Sequence, residues 1–349
     1  MGRILYGVMG DAGGHVSRSL AIAQKLSAHE IVFVGGGRVR ELAQHGYAIV
    51  PVPVLGGEAS DRGFEIVGTV LSAISALVQQ SSVIERLVAV IEEFNPDLIV
   101  TDYEYFLPLA AARLGRACIS VDRQHALTHC RYRPPAGDRL GHVLSLGEIG
   151  LLHGAPSHYM VCSFVQMEPI NPSLTEVFPP VLRNQTADIA ASHGEHATVY
   201  LYRAPLDWVR ELLAGRSRRY FIYGFDMARE EGNLSFRRNS IEQFLVDLAG
   251  CEYAICNGGH NSISEALHYQ KPTLCFPTRL FYEQLLNAHL LAEAGYGAYH
   301  RADAGAGAAL DSFEARLPQF HKRVAKYAPW SCQIIGSRLE ELITSRGVI

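Results

Sequence analysis

The amino-acid sequence predicts an α/β protein of two doubly wound domains that face each other across a cleft. The chain has 349 residues, which is more than one hydrophobic core usually supports. Short apolar runs alternate with segments of helical periodicity, the pattern of parallel sheets covered by helices. A proline-rich segment, residues 166–185, interrupts this alternation near the middle of the chain and is typical of a linker.

The first half of the chain contains five strand-like runs and two clear helical segments. The strand-like runs are residues 4–8, 31–34, 48–52, 98–101 and 117–121. The first helical segment, residues 16–26, places Val16, Leu20, Ala23 and Leu26 on one face. The second, residues 64–94, carries an apolar stripe of Val67, Val70, Leu71, Ile74, Leu77 and Val78. That stripe fits a buried core face or a membrane surface, and the core face is the more common use.

The alternation of strands and helices resumes after the proline-rich segment. Strand-like runs are residues 197–202, 220–223, 253–256 and 273–276, and helical segments are residues 240–248, 262–269, 283–294 and 331–344. We therefore predict an N-terminal domain (1–165), a linker (166–185), a C-terminal domain (186–328) and a C-terminal helix within 329–349. We expect that last helix to pack back on the N-terminal domain.

Composition argues against several classes of protein. The net charge of −4 gives no reason to expect a nucleic-acid partner. Seven scattered cysteines, with no Cys-x-x-Cys spacing, favour neither a disulfide framework nor a zinc site. The N-terminus runs directly into a strand without a signal peptide, and no apolar run has the length of a membrane-spanning helix. We therefore expect a cytoplasmic protein.

A glycine-rich loop, Gly10-Asp-Ala-Gly-Gly-His15, separates the first strand from the first helix. Its spacing matches neither a dinucleotide-binding fingerprint nor a P-loop. His15 suits a general base if a carboxylate fixes its tautomer, and Asp102 follows the strand 98–101, which ends at the same sheet edge. The alternative is that His15 only caps the helix and that Asp102 is a turn residue.

A second glycine turn follows the strand at residues 253–256 and opens a helix near Ser262. Backbone N–H groups in the first turn of a helix can bind a diphosphate. Glu265, three residues further on, can accept hydrogen bonds from both ribose hydroxyls. The alternative is a capping box, Ser262-x-x-Glu265, in which the glutamate only satisfies the N–H groups of its own helix.

The motifs of this region resemble the donor signature of inverting glycosyltransferases with the GT-B fold. They are Asn257-Gly-Gly-His-Asn-Ser-x-x-Glu-Ala266, Lys271-Pro272, Pro277 and Glu283-Gln-x-x-Asn-Ala288. The sequence is similar to the UDP-glycosyltransferases and to the bacterial N-acetylglucosaminyltransferases that build the peptidoglycan lipid precursor. The N-terminal loop, continuing as His15-Val-Ser-Arg18, resembles a poorly characterised prokaryotic branch of the same superfamily. The resemblance covers most of the chain and implies two Rossmann-like domains.

The resemblance also implies a role for each matching residue. His15 would deprotonate the acceptor hydroxyl, and Asp102 would stabilise the imidazolium that forms. The diphosphate would be held by Gly259, His260, Asn261 and Ser262, the ribose by Glu265 and the donor sugar by Glu283 and Gln284, with Gly13, Gly14, Asn257 and Gly258 completing the donor-binding set. Asn257 stands where the UDP-glycosyltransferases have a phosphate-binding histidine, and His260 replaces a tryptophan. Glu283 stands where an aspartate is more usual.

The implied reaction is transfer of a sugar from a UDP-sugar or dTDP-sugar to a hydroxyl, with inversion and without a metal or other cofactor. Asp102-x-Glu104 resembles the metal-binding motif of the other major glycosyltransferase fold, but it lies in the wrong domain for the donor. Two alternatives are a nucleotide-sugar 2-epimerase of the same fold and a non-catalytic nucleotide-sugar-binding protein. We expect the acceptor at residues 56–63 and 125–141. There, Arg131, Arg133 and Arg139 favour an anionic or lipid-linked acceptor and a peripheral contact with the inner face of the membrane.

Overall fold

The structure, a computed structural model, describes residues 1–11, 13–54, 66–153, 155–279, 281–301, 304–328 and 333–345. Of residues 66–78 and of Gln333 it describes the backbone alone. The expected acceptor segment 56–63 and the side chains of the apolar stripe therefore lie outside the described residues. The chain divides into two compact units. The first comprises Met1–Tyr132, Leu144–Val181 and Ser331–Ile349, and the second comprises Arg133–Val143 and Leu182–Trp330.

The first unit is built on a parallel sheet of seven strands. Residues 1–181 contain, in chain order, β1 (Arg3–Val8), α1 (Gly13–Lys25), β2 (Glu30–Gly35), a 3₁₀ helix (Gly37–His45), β3 (Ala48–Pro51), α2 (Ile66–Phe94), β4 (Leu98–Asp102), α3 (Phe106–Arg113), β5 (Ile119–Asp122), α4 (Ala126–His129), β6 (Cys130–Arg131), α5 (Arg139–Leu152), β7 (His158–Cys162), β8 (Glu168–Pro169) and β9 (Thr175–Phe178). The sheet order is β3-β2-β1-β4-β5-β7-β9, and β6 and β8 form a separate antiparallel pair.

The core of the first unit explains why its strands read as continuous apolar runs. Both β4 and β7 are buried along their whole length, as expected for parallel strands covered on both faces. The predicted face of α1 packs on this sheet through Val16, Ala23 and Leu26. All five strands predicted for this half are confirmed, and β7 and β9 are additional strands that the sequence analysis missed.

The linker prediction for residues 166–185 is wrong over most of its length. Within that segment, β9 pairs in parallel with β7, and the boundary between the two units falls after Val181. The expected domain limits also differ at residues 133–143, which belong to the second unit. The reason is packing on residues of that unit. Oδ2 of Asp138 lies 3.3 Å from Nη2 of Arg301, and the rings of His142 and Tyr282 stack with their centroids 4.9 Å apart.

The second unit also has a seven-stranded sheet, parallel except for one edge strand. Residues 182–328 contain, in order, α6 (Asn184–Asp188), β10 (Ala197–Tyr200), α7 (Leu206–Leu213), β11 (Tyr220–Tyr223), β12 (Arg229–Glu231), β13 (Leu234–Phe236), α8 (Ile241–Gly250), β14 (Tyr253–Cys256), α9 (His260–His268), β15 (Thr273–Cys275), α10 (Tyr282–Glu293), β16 (Gly297–Tyr299), α11 (Ala306–Ala315) and α12 (Leu317–Val324). The order is β12-β13-β11-β10-β14-β15-β16, with β12 antiparallel to β13. The two doubly wound domains predicted from the sequence are thus confirmed.

The last helix of the chain, α13 (Gln333–Thr344), belongs to the first unit. It buries Ile335, Leu339, Leu342 and Ile343 in the same core as α1. Burying a side chain of this size contributes about 1.5–3 kcal/mol, so the helix adds substantially to the stability of the first unit. Within the described parts of the chain, none of the helices combines the length and apolar composition that crossing a bilayer requires.

Candidate functional site

Strand pairing brings His15 and Asp102 to the same edge of the first sheet. In the parallel register of β1 and β4, Val8 lies opposite Asp102, so both strands end side by side. The chain then turns sharply at Gly10, where a Cβ would stand 1.9 Å from the carbonyl oxygen of Gly36. Because α1 begins only a few residues after this turn, its third residue, His15, lies over the end of β4.

His15 and Asp102 form a buried hydrogen-bonded pair. The Nδ1 atom of His15 lies 2.7 Å from Oδ1 of Asp102, and the carboxylate is fully buried. Arg18, one turn further along α1, donates to both carboxylate oxygens, from Nε at 2.8 Å and from Nη2 at 2.5 Å. The Ser19 hydroxyl donates to Oδ2 at 3.2 Å. The alternative in which His15 only caps its helix is therefore wrong, because its ring binds the carboxylate.

The charges around His15 set its protonation behaviour. Burial by itself lowers the pKa of His15, but attraction to Asp102 and the hydrogen bond between them outweigh burial and raise it above its usual value of 6.5. Arg18 works in the opposite direction, and Asp11 adds a smaller attraction. For Asp102, burial opposes ionisation, yet Arg18 and His15 hold its pKa below its usual value of 3.8. The carboxylate therefore stays ionised beside the imidazole.

Tyr103 covers the same imidazole from one side. Its backbone has a φ of +59°, a left-handed conformation that is uncommon for a tyrosine. Its ring stacks with His153 at 3.6 Å and with His15 at 6.0 Å between ring centroids. Burial, together with the charge of His125, lowers the pKa of His153 to about 3, so this neighbour adds no positive charge to the site.

The carboxylates of the Asp102-x-Glu104 motif are both engaged by the protein itself. Glu104 accepts hydrogen bonds from the backbone N–H groups of Phe106 at 3.0 Å and Leu107 at 2.7 Å, at the start of α3. Burial raises the pKa of Glu104 to about 7, in spite of these bonds. Among the described residues, no group of three or more His, Cys, Asp or Glu side chains is arranged to hold a metal ion.

In the second unit, the glycine turn after β14 is held by α10. Gly258 has a φ of +89°, and its carbonyl oxygen accepts a hydrogen bond from the fully buried side chain of Asn287 at 3.2 Å. A Cβ at Gly258 would stand 2.6 Å from the backbone oxygen of Gln284. Asn257, which precedes the turn, directs its amide nitrogen toward Phe276 O and Thr278 Oγ1, each at 3.4 Å.

Gly258→Ala is expected to destabilise the protein more than Gly215→Ala, in urea unfolding measurements. Gly215 also has a positive φ, +74°, but no atom lies within 4 Å of the position of its Cβ. Left-handed backbone costs about 1–2 kcal/mol in both variants. The close contact of the new Cβ with Gln284 should cost about 1–3 kcal/mol of stability in addition, the usual cost of overpacking, and only in Gly258→Ala. Equal losses in the two variants would show that α10 does not constrain this turn.

The helix after this turn starts earlier than the sequence predicted. It begins at His260, and its N-cap is Gly259, which has no side chain to cap the first turn. Ser262 is therefore the third residue of α9, and Glu265 lies a full turn inside the helix. The capping-box alternative is wrong, because Ser262 is not the N-cap. Within the first turn, His260 is buried, and Asn261 and Ser262 are half-buried.

Glu265 is instead buried against an arginine. Its side chain is 1% exposed, and Oε1 lies 3.2 Å from Nε of Arg183. Its Oε2 atom is buried without a hydrogen-bond partner among the described residues. Burial raises the pKa of Glu265, and the charge of Arg183 opposes this shift. The glutamate is thus a desolvated carboxylate with an arginine beside one of its two oxygens.

The other sequence-predicted residues lie in three places. Glu283 and Gln284 lie in the first turn of α10, beside the Gly258 turn, where Gln284 Oε1 accepts the N–H of Thr278 at 3.0 Å. Glu283 Oε1 accepts a hydrogen bond from Asn287 at 3.4 Å. Gly13 and Gly14 open α1 in the first unit. The side chains of Arg131, Arg133 and Arg139 are all exposed.

The sequence analysis gave no role to three residues that contact the predicted ones. Arg18 binds Asp102, Arg183 binds Glu265, and the Gln124 amide nitrogen lies 3.3 Å from Nε2 of His15. Only Arg18 carried a usable signal, since a residue three positions after His15 shares its helix face. The other two contacts join residues that are distant in the sequence.

The amino-acid sequence matches a known protein family. The family model described as glycosyl transferase family 1 matches residues 2–318. The chain belongs to glycosyl transferase family 1. It is therefore a glycosyltransferase.

Relatives agree with this assignment, and a solved structure shows the same fold. An uncharacterised glycosyltransferase of Methanosarcina mazei is 24% identical over 330 residues, 84% of either chain. The UDP-N-acetylglucosamine–N-acetylmuramyl-(pentapeptide) pyrophosphoryl-undecaprenol N-acetylglucosamine transferase of Anaeromyxobacter sp. (strain K) is 24% identical, over 82% of this chain and 77% of the relative. The structure of glycosyltransferase VinC in complex with dTDP is 16% identical, with a TM-score of 0.65, over 98% of this chain and all of VinC. The fold is GT-B, as the sequence predicted.

Proposed function

We propose that this glycosyltransferase moves a sugar from a nucleoside-diphosphate sugar, preferably a UDP-sugar, to an acceptor hydroxyl with inversion at the anomeric carbon and without a metal ion. The His15–Asp102 pair is the observation that carries the proposal. Its 2.7 Å hydrogen bond occupies Nδ1 of the imidazole, so Nε2 is the nitrogen that takes a proton. A single positioned base is what direct displacement at the anomeric carbon requires.

In the proposed step, the acceptor O–H gives its proton to Nε2 of His15. The acceptor oxygen forms a bond to the anomeric carbon while the bond from that carbon to the diphosphate oxygen breaks. The nucleoside diphosphate leaves with that electron pair, and the configuration inverts. The ionised Asp102 stabilises the imidazolium, since opposite charges interact strongly in a buried site.

The second unit supplies the donor contacts in this proposal. The first turn of α9 follows a glycine N-cap, so its backbone N–H groups and the helix dipole favour a bound diphosphate. Glu265 is proposed to accept the ribose hydroxyls, and Glu283 and Gln284 to bind the sugar. The Anaeromyxobacter relative is named for a UDP-sugar donor, and the VinC structure holds dTDP; both support a nucleoside diphosphate here.

In the proposed mechanism the carboxylates of the Asp102-x-Glu104 motif hold no metal ion. Asp102 binds Arg18 and His15, and Glu104 binds two backbone N–H groups. Neither carboxylate is then available as a ligand for a divalent cation. Charge on the leaving diphosphate is instead stabilised by the first turn of α9.

A thermal-shift screen with UDP, dTDP, GDP, NAD and ATP tests the donor part of the proposal. UDP should raise the melting temperature most, because a ligand that binds only the folded state stabilises it. Glu265→Ala should weaken UDP binding roughly 10- to 100-fold, as expected for lost hydrogen bonds to a carboxylate.

Glu211→Ala is the matched control, since Glu211 is an exposed glutamate on α7 of the same unit. It should leave UDP binding unchanged. Equal binding of UDP by Glu265→Ala and Glu211→Ala would remove Glu265 from the site. Indifference of the wild-type protein to every nucleoside diphosphate would overturn the proposed donor.

A further inference from the structure

Gln124 lies at the imidazole nitrogen that the proposed base uses. It comes two residues after β5, and its side-chain nitrogen is 3.3 Å from Nε2 of His15. The other ring nitrogen, Nδ1, is bound to Asp102. Nη2 of Arg18 also lies 3.2 Å from Nδ1, whereas the group at Nε2 is a neutral amide.

Hydrogen bonding fixes the direction of the Gln124 amide. Its Oε1 accepts the backbone N–H of Arg123 at 3.3 Å, so the NH₂ group faces His15. A neutral His15 that donates from Nδ1 to Asp102 has a lone pair on Nε2, and that lone pair accepts the amide N–H. The other tautomer would let Nδ1 accept from Arg18 Nη2 at 3.2 Å, but it would place the Nδ1 lone pair 2.7 Å from a carboxylate oxygen, which is the shorter contact and is repulsive. The network is therefore consistent with one neutral tautomer.

The turn that carries Gln124 is anchored by a second buried His–Asp pair. Asp122 accepts the backbone N–H of His125 at 2.9 Å and contacts its Nδ1 at 2.6 Å. The opposite ring nitrogen of His125 binds the carbonyl oxygen of His153 at 3.0 Å. Both members of the pair are at most 1% exposed. Gln124 therefore extends from a backbone that these bonds hold in place, and this fixes the position of its amide relative to Nε2 of His15.

We propose that Gln124 is a positioning residue that holds Nε2 of His15 as a hydrogen-bond acceptor and marks the position of the acceptor hydroxyl. This inference rests on the proposed function, in which His15 is the base. When the acceptor binds, its O–H replaces the amide N–H at Nε2. The proton then moves from the acceptor oxygen to Nε2 as that oxygen bonds to the anomeric carbon and the diphosphate departs with the electron pair. The amide thus keeps the base in the tautomer that the reaction needs.

NMR titration of histidines labelled with ¹³C and ¹⁵N tests this contact in the full chain. The His15 signals are identified by their loss in His15→Ala. In the wild type, neutral His15 should carry its proton on Nδ1. Gln124→Glu should raise the pKa of His15 by roughly one to two units, because a carboxylate at Nε2 favours the imidazolium. Gln124→Ala should raise it by roughly half a unit, because it removes a hydrogen bond donated to the neutral form.

The charged and titratable groups already facing His15, namely Asp102, Arg18, Asp11, Tyr103 and His153, are the same in all these variants. Gln319→Glu, the same substitution at an exposed position of α12, is the control and should leave the His15 titration unchanged. Unfolding and UDP binding are compared first, so that only folded variants are titrated.

An identical His15 titration in wild type, Gln124→Glu and Gln124→Ala would overturn the proposal. The titration needs no turnover, so it reports on the contact independently of the base role of His15. Failure of the proposed function would instead appear as full turnover by His15→Ala.

Discussion

Replacement of His15 by alanine is expected to lower turnover roughly 10²- to 10⁴-fold, the contribution of a positioned general base. His15 is buried, and its imidazole is bound through Nδ1 to Asp102. Binding of UDP should be unchanged, because the proposed donor contacts lie in the other unit. The measurement is release of nucleoside diphosphate from the donor sugar at saturating donor, together with UDP affinity.

The pH dependence of turnover adds a second signature of His15. A general base acts in its neutral form, so the rate should rise with pH through the pKa of this residue. That pKa is raised above 6.5, because attraction to Asp102 outweighs burial. The acidic limb of the profile should therefore be centred above pH 6.5 and should be absent from His15→Ala.

His29→Ala is the matched control for this variant. His29 is also in the first unit, its side chain is as buried as that of His15, and it pairs with the carboxylate of Glu340 at 2.8 Å. It lies at the opposite end of β1, where it accepts the N–H of Gly2. The control should lose stability but keep turnover. Turnover by His15→Ala equal to that of His29→Ala would place the base elsewhere.

The sequence predicted the apolar strands of the first sheet but missed two others, the buried internal strand β7 and the edge strand β9. β4 is flanked by other strands on both sides and reads as an uninterrupted apolar run. β9 has four residues, pairs with a single neighbour and is followed directly by two prolines. Edge strands need less apolar sequence and tolerate proline nearby, so the local pattern resembles a linker. Only the pairing with β7 distinguishes the two.

The candidate site was predictable where sheet topology alone determines position. His15 and Asp102 each follow the carboxyl end of a strand, and such ends meet at one edge of a parallel sheet. The contact of Arg183 with Glu265 depends on how the chain enters the second unit, which no periodicity records. The choice between a capping box and a ligand carboxylate at Glu265 depended on where α9 begins. In the structure the N-cap is Gly259 and not Ser262, so Glu265 is not part of a capping box.

Replacement of Asp102 by alanine is expected to destabilise the protein by about 3–5 kcal/mol, the usual cost of breaking a buried ion pair. Asp102 is fully buried, and its two oxygens accept from Arg18, which is itself 4% exposed. Removing the carboxylate leaves a desolvated guanidinium without a counterion. Urea unfolding measures the loss. Asp97→Ala is the control, because Asp97 is exposed, and it should cost no more than about 1 kcal/mol.

A double variant separates the charge from the packing. Arg18→Met combined with Asp102→Ala removes both charges, so it should be more stable than Asp102→Ala alone even though it carries one more substitution. Turnover should not recover, because His15 still lacks the carboxylate that fixes its tautomer. If the double variant were less stable than Asp102→Ala, the guanidinium would not be the source of the loss.

The sign of the pH dependence gives an independent measure of the same pair. The folded-state pKa of Asp102 lies below 3.8, so the stability it contributes is present above about pH 4 and is lost as the pH falls further. The folded-state pKa of His15 lies above 6.5, so its contribution is present below that pH and is lost as the pH rises through the raised value.

Wild-type stability should therefore decline on both sides of this pH window, and Asp102→Ala should weaken both declines. His15→Ala should weaken mainly the alkaline one, because Arg18 still binds Asp102. An alkaline decline that persists unchanged in His15→Ala would assign it to another group and would leave His15 uncharged in the folded protein.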